Sequence, residues 1–254
     1  MQTIILNLLA LSLVVFFHEL GHFLAAKIMG CTPKKFAVGL GPKIWSFVRK
    51  GTEFSLRWIP FGGFVELPEE ATKKLNGRKQ IFIYAAGPLA NLVLCLVLSV
   101  VIISSKQNFG MRILTDYSYL VQIISGIGAT VYLFFAGVPL TIIALVKMVM
   151  HPISNMKDMS GPIGIISGEA IPSFHLENTP VWLQLAVTVY IFSMGVGGFN
   201  LIPLSFLDGG RIFENLFSRF PKFLGFWRAT TGVVLVSLLV CILVTDIMKI
   251  IARF

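Results

Sequence analysis

Residues 13–27 read LVVFFHELGHFLAAK, with two histidines and a glutamate inside a run that is otherwise apolar. An ionisable side chain at the centre of a bilayer costs on the order of 3 kcal/mol even on the gentler scales. Three of them, His18, Glu19 and His22, therefore need a reason to be there. Whether this stretch lies in a membrane or in a soluble core decides how the rest of the chain is read.

The composition around it answers. Of 254 residues, 56% are hydrophobic and only 13% are charged, and the mean hydropathy is +0.83. A soluble domain carries about 25% charged residues. The chain is expected to be a polytopic membrane protein in which residues 1–254 form one membrane-embedded domain, with the lipid bilayer as its main partner. Its net charge of +9 is not accompanied by a basic patch interleaved with a reading motif, so nucleic acid is not expected as a partner. Cys31, Cys95 and Cys241 are odd in number, scattered and without metal or disulfide spacing, and read as small apolar fillers. The amino terminus lacks a basic n-region and stays apolar past any cleavage point, unlike a signal peptide.

Four segments meet the length of about 20 residues that a crossing helix needs: 3–28, 81–103, 181–203 and 231–251. The expected fold is all-α and polytopic, with about four transmembrane helices. Segment 119–150 is an extra apolar helical stretch, interrupted by Gly126, Gly128, Gly137 and Pro139. Loop 29–80 carries ten Lys and Arg and loop 204–228 carries four, whereas 104–118 and 151–180 together hold three. By the positive-inside rule the first two loops are cytoplasmic and both termini lie outside. Parity then asks 119–150 to cross an even number of times, either lying along the outer surface or forming a hairpin bent near Gly137–Pro139.

His18-Glu19-Leu20-Gly21-His22 is HExxH. On a helix, positions four apart stack on one face, so both imidazoles can reach one metal ion. The glutamate between them can take a proton from a water at that metal, which is the arrangement of zinc hydrolases. The competing structural reading has the two histidines satisfying each other or a carbonyl inside the bundle. It leaves three ionisable groups at ligand spacing in a membrane segment without a purpose. The cluster lies six to ten residues before Ile28, roughly 9–15 Å from that end of the helix, toward the cytoplasmic face.

A third ligand has to come from similar depth. In FNLIPLSFLDGGRIF, residues 199–213, Asp208 follows a stretch that Pro203 keeps from being one regular helix. Asp208 can be read as the cap of a helix beginning at Gly209; beside HExxH it reads better as the third ligand. Residues 36–67 read as a β-hairpin, with aromatic-rich runs on either side of Lys50-Gly51 and Gly39, Gly41, Gly62 and Gly63 as punctuation. It can be a surface hairpin or a substrate-binding element.

HExxH in the first membrane segment, together with Asn200-x-x-Pro203-x-x-x-Leu207-Asp208-Gly209, resembles the site-2 protease family of intramembrane zinc metalloproteases, peptidase family M50. The nearest likeness is to the bacterial regulator-of-sigma-E group. AAGPLAN (85–91) and MSGPIGIISGEA (159–170) match features of that group in order. Pro88 and Asn91 in the first of these can equally be structural. The resemblance implies Zn2+ held by His18, His22 and Asp208, with Glu19 as general base and Asn200 against the substrate backbone. It implies that hairpin 36–67 is membrane-re-entrant and offers an edge near Gly62 and Gly63 to the substrate. It further implies substrates that are transmembrane segments of single-pass proteins or remnant signal peptides, and a place in the inner (plasma) membrane of a bacterium. One departure stands out: residues 104–118 leave no room for the PDZ domains usual in that group. Two rival readings are a non-catalytic zinc-binding protein that binds transmembrane helices and a metal transporter. Ligands clustered at one depth argue against transport, and Glu19 is a needless burden for mere binding. His151 and His175 read as loop residues, and Asp246 and Lys249 as an interfacial pair.

Overall fold

The computed structural model describes residues 2–105, 117–150 and 179–251. Its elements run α1 (Gln2–Ile28), β1 (Lys35–Arg49), β2 (Thr52–Glu66), α2 (Glu69–Lys74), α3 (Gly77–Ser105), α4 (Tyr117–Met150), α5 (Val181–Asn200), α6 (Asp208–Leu216) and α7 (Pro221–Ile251). Among the described residues, four helices are long and apolar enough to cross a membrane: α1, α3, Val121–Ile143 of α4, and α5. The expected span 231–251 lies within α7, whose side chains are described only in part. Residues 151–178, with His151, His175 and the 159–170 motif, lie outside the described residues, as do the side chains of Asp246, Lys249 and Cys241.

Helices α1, α3 and α5 pack on one another, and α4 lies against α3 and α5. Small residues make the contacts close: Gly21 of α1 faces the Ala86 carbonyl and the Ala90 methyl of α3, the close approach expected where lipid supplies no hydrophobic drive. Away from these contacts the helices stay apolar, with Leu24, Val93, Val97 and Phe135 exposed, as suits a lipid solvent. Two clusters of buried apolar side chains lie along α1. Ala10, Val14, Val189 and Phe192 form one, and Ala25, Ala26, Cys31 and Ile83 the other. Along α1, the polar layer of His18 and His22 lies between these patches. Cys31 and Cys95 are buried and free, as fillers should be.

The hairpin forms where the sequence places it. Lys50 and Gly51 have φ of 48° and 78°, the pattern of a two-residue type I′ turn, and Arg49 pairs with Thr52 and Trp45 with Leu56. Beyond that arm β2 folds back, so that Phe36 pairs with Val65 and Val38 with Gly63 as well as with Phe54 and Leu56. Residues 63–66 thus border the sheet beside α1, while Ile44, Trp45, Val48 and Trp58 on the arm are exposed.

Segment 119–150 departs from expectation. It neither bends into a hairpin nor breaks at Pro139; α4 is one helix of 34 residues through that proline. Proline removes one backbone donor, whereas a break in an apolar environment would orphan several donors and acceptors at once. Gly126 meets Ile103 near the end of α3, and Phe134 meets Gly197 of α5. Thr130 shares a hydrogen bond of 3.1 Å with Tyr190. Helix α4 therefore runs alongside α5 in the same direction, antiparallel to α3. The parity argument asked 119–150 to lie along the surface or cross an even number of times, whereas Val121–Ile143 forms one candidate span; a charge count weighs only the loops and takes no account of which helices pack together.

Candidate metal centre

His18 and His22 sit one turn apart on α1 with their Nε2 atoms 3.2 Å from each other. Asp208 Oδ2 is 3.0 Å from His18 Nε2 and 3.1 Å from His22 Nε2. These are the three ligand-type side chains that converge among the described residues. Tetrahedral zinc with bonds of 2.0–2.1 Å holds its ligand atoms about 3.3 Å apart. The triangle is therefore of the right size for that ion, and its donor set of two imidazoles and a carboxylate suits it. Both histidines are buried, at 6% and 9% exposure.

Each ligand is brought in by its element. Helix α5 ends at Asn200, ahead of Pro203, and the irregular stretch 201–207 doubles back so that α6 begins at Asp208 itself. Leu207 is the N-cap residue, with no side-chain cap bond. The carboxylate is free to face the histidines, and the capping role open to Asp208 on sequence is not the one it takes. Gly209 is needed here because the Leu201 carbonyl lies 2.2 Å from where a Cβ would be.

The ring nitrogens opposite the ligand triangle are also engaged. His22 Nδ1 donates to the Ile83 carbonyl at 2.8 Å, which leaves Nε2 free to offer a lone pair. His18 Nδ1 lies 3.2 Å from the Asn91 amide. Glu19 lies on the other side, with its carboxylate close to the Val65 backbone.

A cleft of about 370 Å³ joins these groups. It is lined by His18, Glu19, His22 and Asp208, by residues 62–65 of β2, and by Asn200, Tyr84 and Arg211. All seven residues singled out from the sequence, including Gly62, Gly63 and Asn200, meet in this one cleft. One N–H of the Asn200 amide is engaged by the Val196 carbonyl at 2.9 Å, and its second N–H is available to a ligand. Sequence reasoning missed Gly87, which lets α3 approach both histidine rings, and the backbone groups of Ile83 and Val65. The small-residue run AAGP was the visible signal for Gly87; the two backbone groups carried none.

The chain is similar to several curated bacterial proteins. A Clostridium perfringens protein named, provisionally, as a zinc metalloprotease is 40% identical over 103 residues, 37% of this chain and 31% of that protein. One of Clostridium acetobutylicum, named in the same way, is 23% identical over 297 residues, covering 84% of this chain and 86% of that protein. The alignment is longer than the chain, so this relative carries residues between the matched segments that have no counterpart here. Zinc metalloprotease RasP of Bacillus licheniformis is 44% identical over 70 residues, 28% of this chain and 17% of that protein. In the first and third cases the match spans less than a third of the relative's own length. The model of peptidase family M50 matches residues 6–244. That match runs through every element that builds the His18, His22 and Asp208 triangle, and the chain belongs to peptidase family M50.

Proposed function

We propose that this chain is a zinc metalloprotease that hydrolyses peptide bonds in or near transmembrane segments, such as those of single-pass proteins or remnant signal peptides. The observation that carries the reading is the ligand triangle with Glu19 beside it, set against a bordering strand. His18, His22 and Asp208 would hold the zinc, which when bound would supply Lewis acidity and lower the pKa of a water toward neutral. Glu19 accepts that water's proton and returns it to the leaving nitrogen as the C–N bond breaks, while the water oxygen stays on the acyl carbon. The free N–H of Asn200 holds the substrate backbone or its developing negative oxygen.

The strand at the cleft also bears on how a substrate is held. A peptide bond inside a helix has its N–H and C=O engaged with its own turns, so a transmembrane segment must unwind to present one to the site. Residues 62–65 border the sheet and line the cleft, so they can pair with the unwound segment as an added strand. In this reading the site faces the cytoplasmic side of the inner membrane and both termini lie on the other side.

The test is paired. Purified wild type and Glu19→Gln are assayed for zinc per chain and for cleavage of transmembrane peptides that contain helix-breaking residues. The expected result is about one zinc in both, with cleavage reduced 10²- to 10⁴-fold in the variant, the range for a general base. Zinc in both with cleavage by neither would favour a protein that only binds transmembrane helices. Wild type without zinc would refute the metal centre itself.

A further inference from the structure

Asn91 is fully buried in α3, an expensive place for an amide unless its atoms are used. Its Nδ2 lies 3.2 Å from His18 Nδ1, and its Oδ1 has no hydrogen-bond partner among the described residues. The rest of the residue is held firmly. Ser193 of α5 donates its hydroxyl to the Asn91 carbonyl at 3.2 Å, and Gly197 approaches the Asn91 Cβ to 3.0 Å, measured from an ideal Cβ on the glycine. Phe134 of α4, 1% exposed, covers that same glycine, 2.7 Å from the same ideal position.

Resting on the zinc reading above, we infer that Asn91 is a positioning residue of the metal centre, one that fixes the ring orientation and tautomer of His18. His18 Nε2 faces Asp208 and His22, so it is the nitrogen that gives its lone pair to the ion. The ring proton then sits on Nδ1 and needs an acceptor. A half-turn of the Asn91 amide exchanges its nitrogen and oxygen and brings Oδ1, the atom that lacks a partner, onto that N–H. The two histidines are then held alike, His22 by the Ile83 carbonyl and His18 by an amide carbonyl. Helices α5 and α4 take part indirectly: Ser193 and Gly197 grip Asn91, and Phe134 backs Gly197. That places α4, the helix whose purpose is least evident from sequence, behind a metal ligand.

The experiment uses the full chain in detergent or nanodiscs and reads metal affinity by competition with a chromophoric chelator, together with the visible spectrum of bound Co2+. Wild type, Asn91→Asp, Asn91→Leu, His18→Ala and the double variant His18→Ala with Asn91→Leu are compared. Asn91→Leu is expected to weaken zinc binding 10- to 100-fold, the usual effect of removing a group that orients a ligand, and to shift the Co2+ spectrum. Asn91→Asp keeps an acceptor and is expected to bind within about 10-fold of wild type. In the His18→Ala background, Asn91→Leu should cost little more, because its effect passes through that ring. Wild-type affinity in Asn91→Leu, or an equal further loss in the double variant, would overturn the inference. Metal affinity is read independently of cleavage, so an inactive wild type that binds zinc would sink the protease reading while the role of Asn91 is still decided.

Discussion

A methyl group on Gly87 would sit 2.3 Å from His22 Nε2 and 2.8 Å from His18 Nε2, in the space a metal needs. Neither the backbone of α3 nor that of α1 can yield easily, because Gly21 and Ala86 already hold the two helices in contact. Gly87→Ala is therefore expected to weaken zinc binding by about 10-fold or more while the protein keeps its helical content. Zinc per chain beside a circular dichroism spectrum checks this. Full zinc occupancy in the variant would show that the rings have room that the geometry denies them. The histidines and Glu19 were legible from sequence because their spacing of four has one meaning on a helix. Gly87 was not, since its role exists only where α3 crosses α1.

At the scale of the element, residues 62–65 of β2 serve two neighbours. The Val65 backbone lies beside the Glu19 carboxylate, and Gly63 lies so close to α1 that a Cβ would be 3.1 Å from Glu19 Cγ and 2.9 Å from Val15 Cγ1. Gly63→Val is expected to push the carboxylate out of line. Displacement on the order of 1 Å can lower turnover by about 10²-fold, and zinc content should stay unchanged because Gly63 does not touch the ligands. Parallel zinc and cleavage measurements check both halves; undiminished cleavage would mean that the strand is not coupled to Glu19. The hairpin itself was readable from Lys50-Gly51 and its flanking runs. Its return across β1, which brings Gly62 and Gly63 to the cleft, depends on pairing between residues far apart in the chain, as with Phe36 and Val65.

For the whole molecule, the helix directions bear on sidedness. The end of α3 and the starts of α4 and α5 lie together: Ile103, Gly126 and Thr179 line one cavity of about 400 Å³. The hairpin turn and α6 belong to the opposite end. In a background without native cysteines, Lys50→Cys and Arg219→Cys are expected to react with a membrane-impermeant thiol reagent from one side. Tyr117→Cys and Thr179→Cys should react from the other. Labelling of Lys50→Cys and Thr179→Cys from the same side would break the proposed orientation. Charge bias along the loops anticipated which ends group together, but the continuous α4 did not follow from it.

Composition and local spacing were sufficient for everything that depends on neighbours along the chain. A low charged fraction requires helices that satisfy their own backbone in lipid, HExxH puts two imidazoles on one face, and Lys50-Gly51 turns a hairpin. What only the tertiary structure decided is how separate segments meet. Asp208 comes within 3.0 Å of His18 from 190 residues away, Gly87 and Asn91 of α3 face these rings, and Phe134 of α4 packs on Gly197 behind Asn91. The physical reason is the same in each case. Apolar helices without a polar face carry no periodic signal of which side will be buried, so their partners are set by close packing of small residues and by the few polar atoms that must find one another.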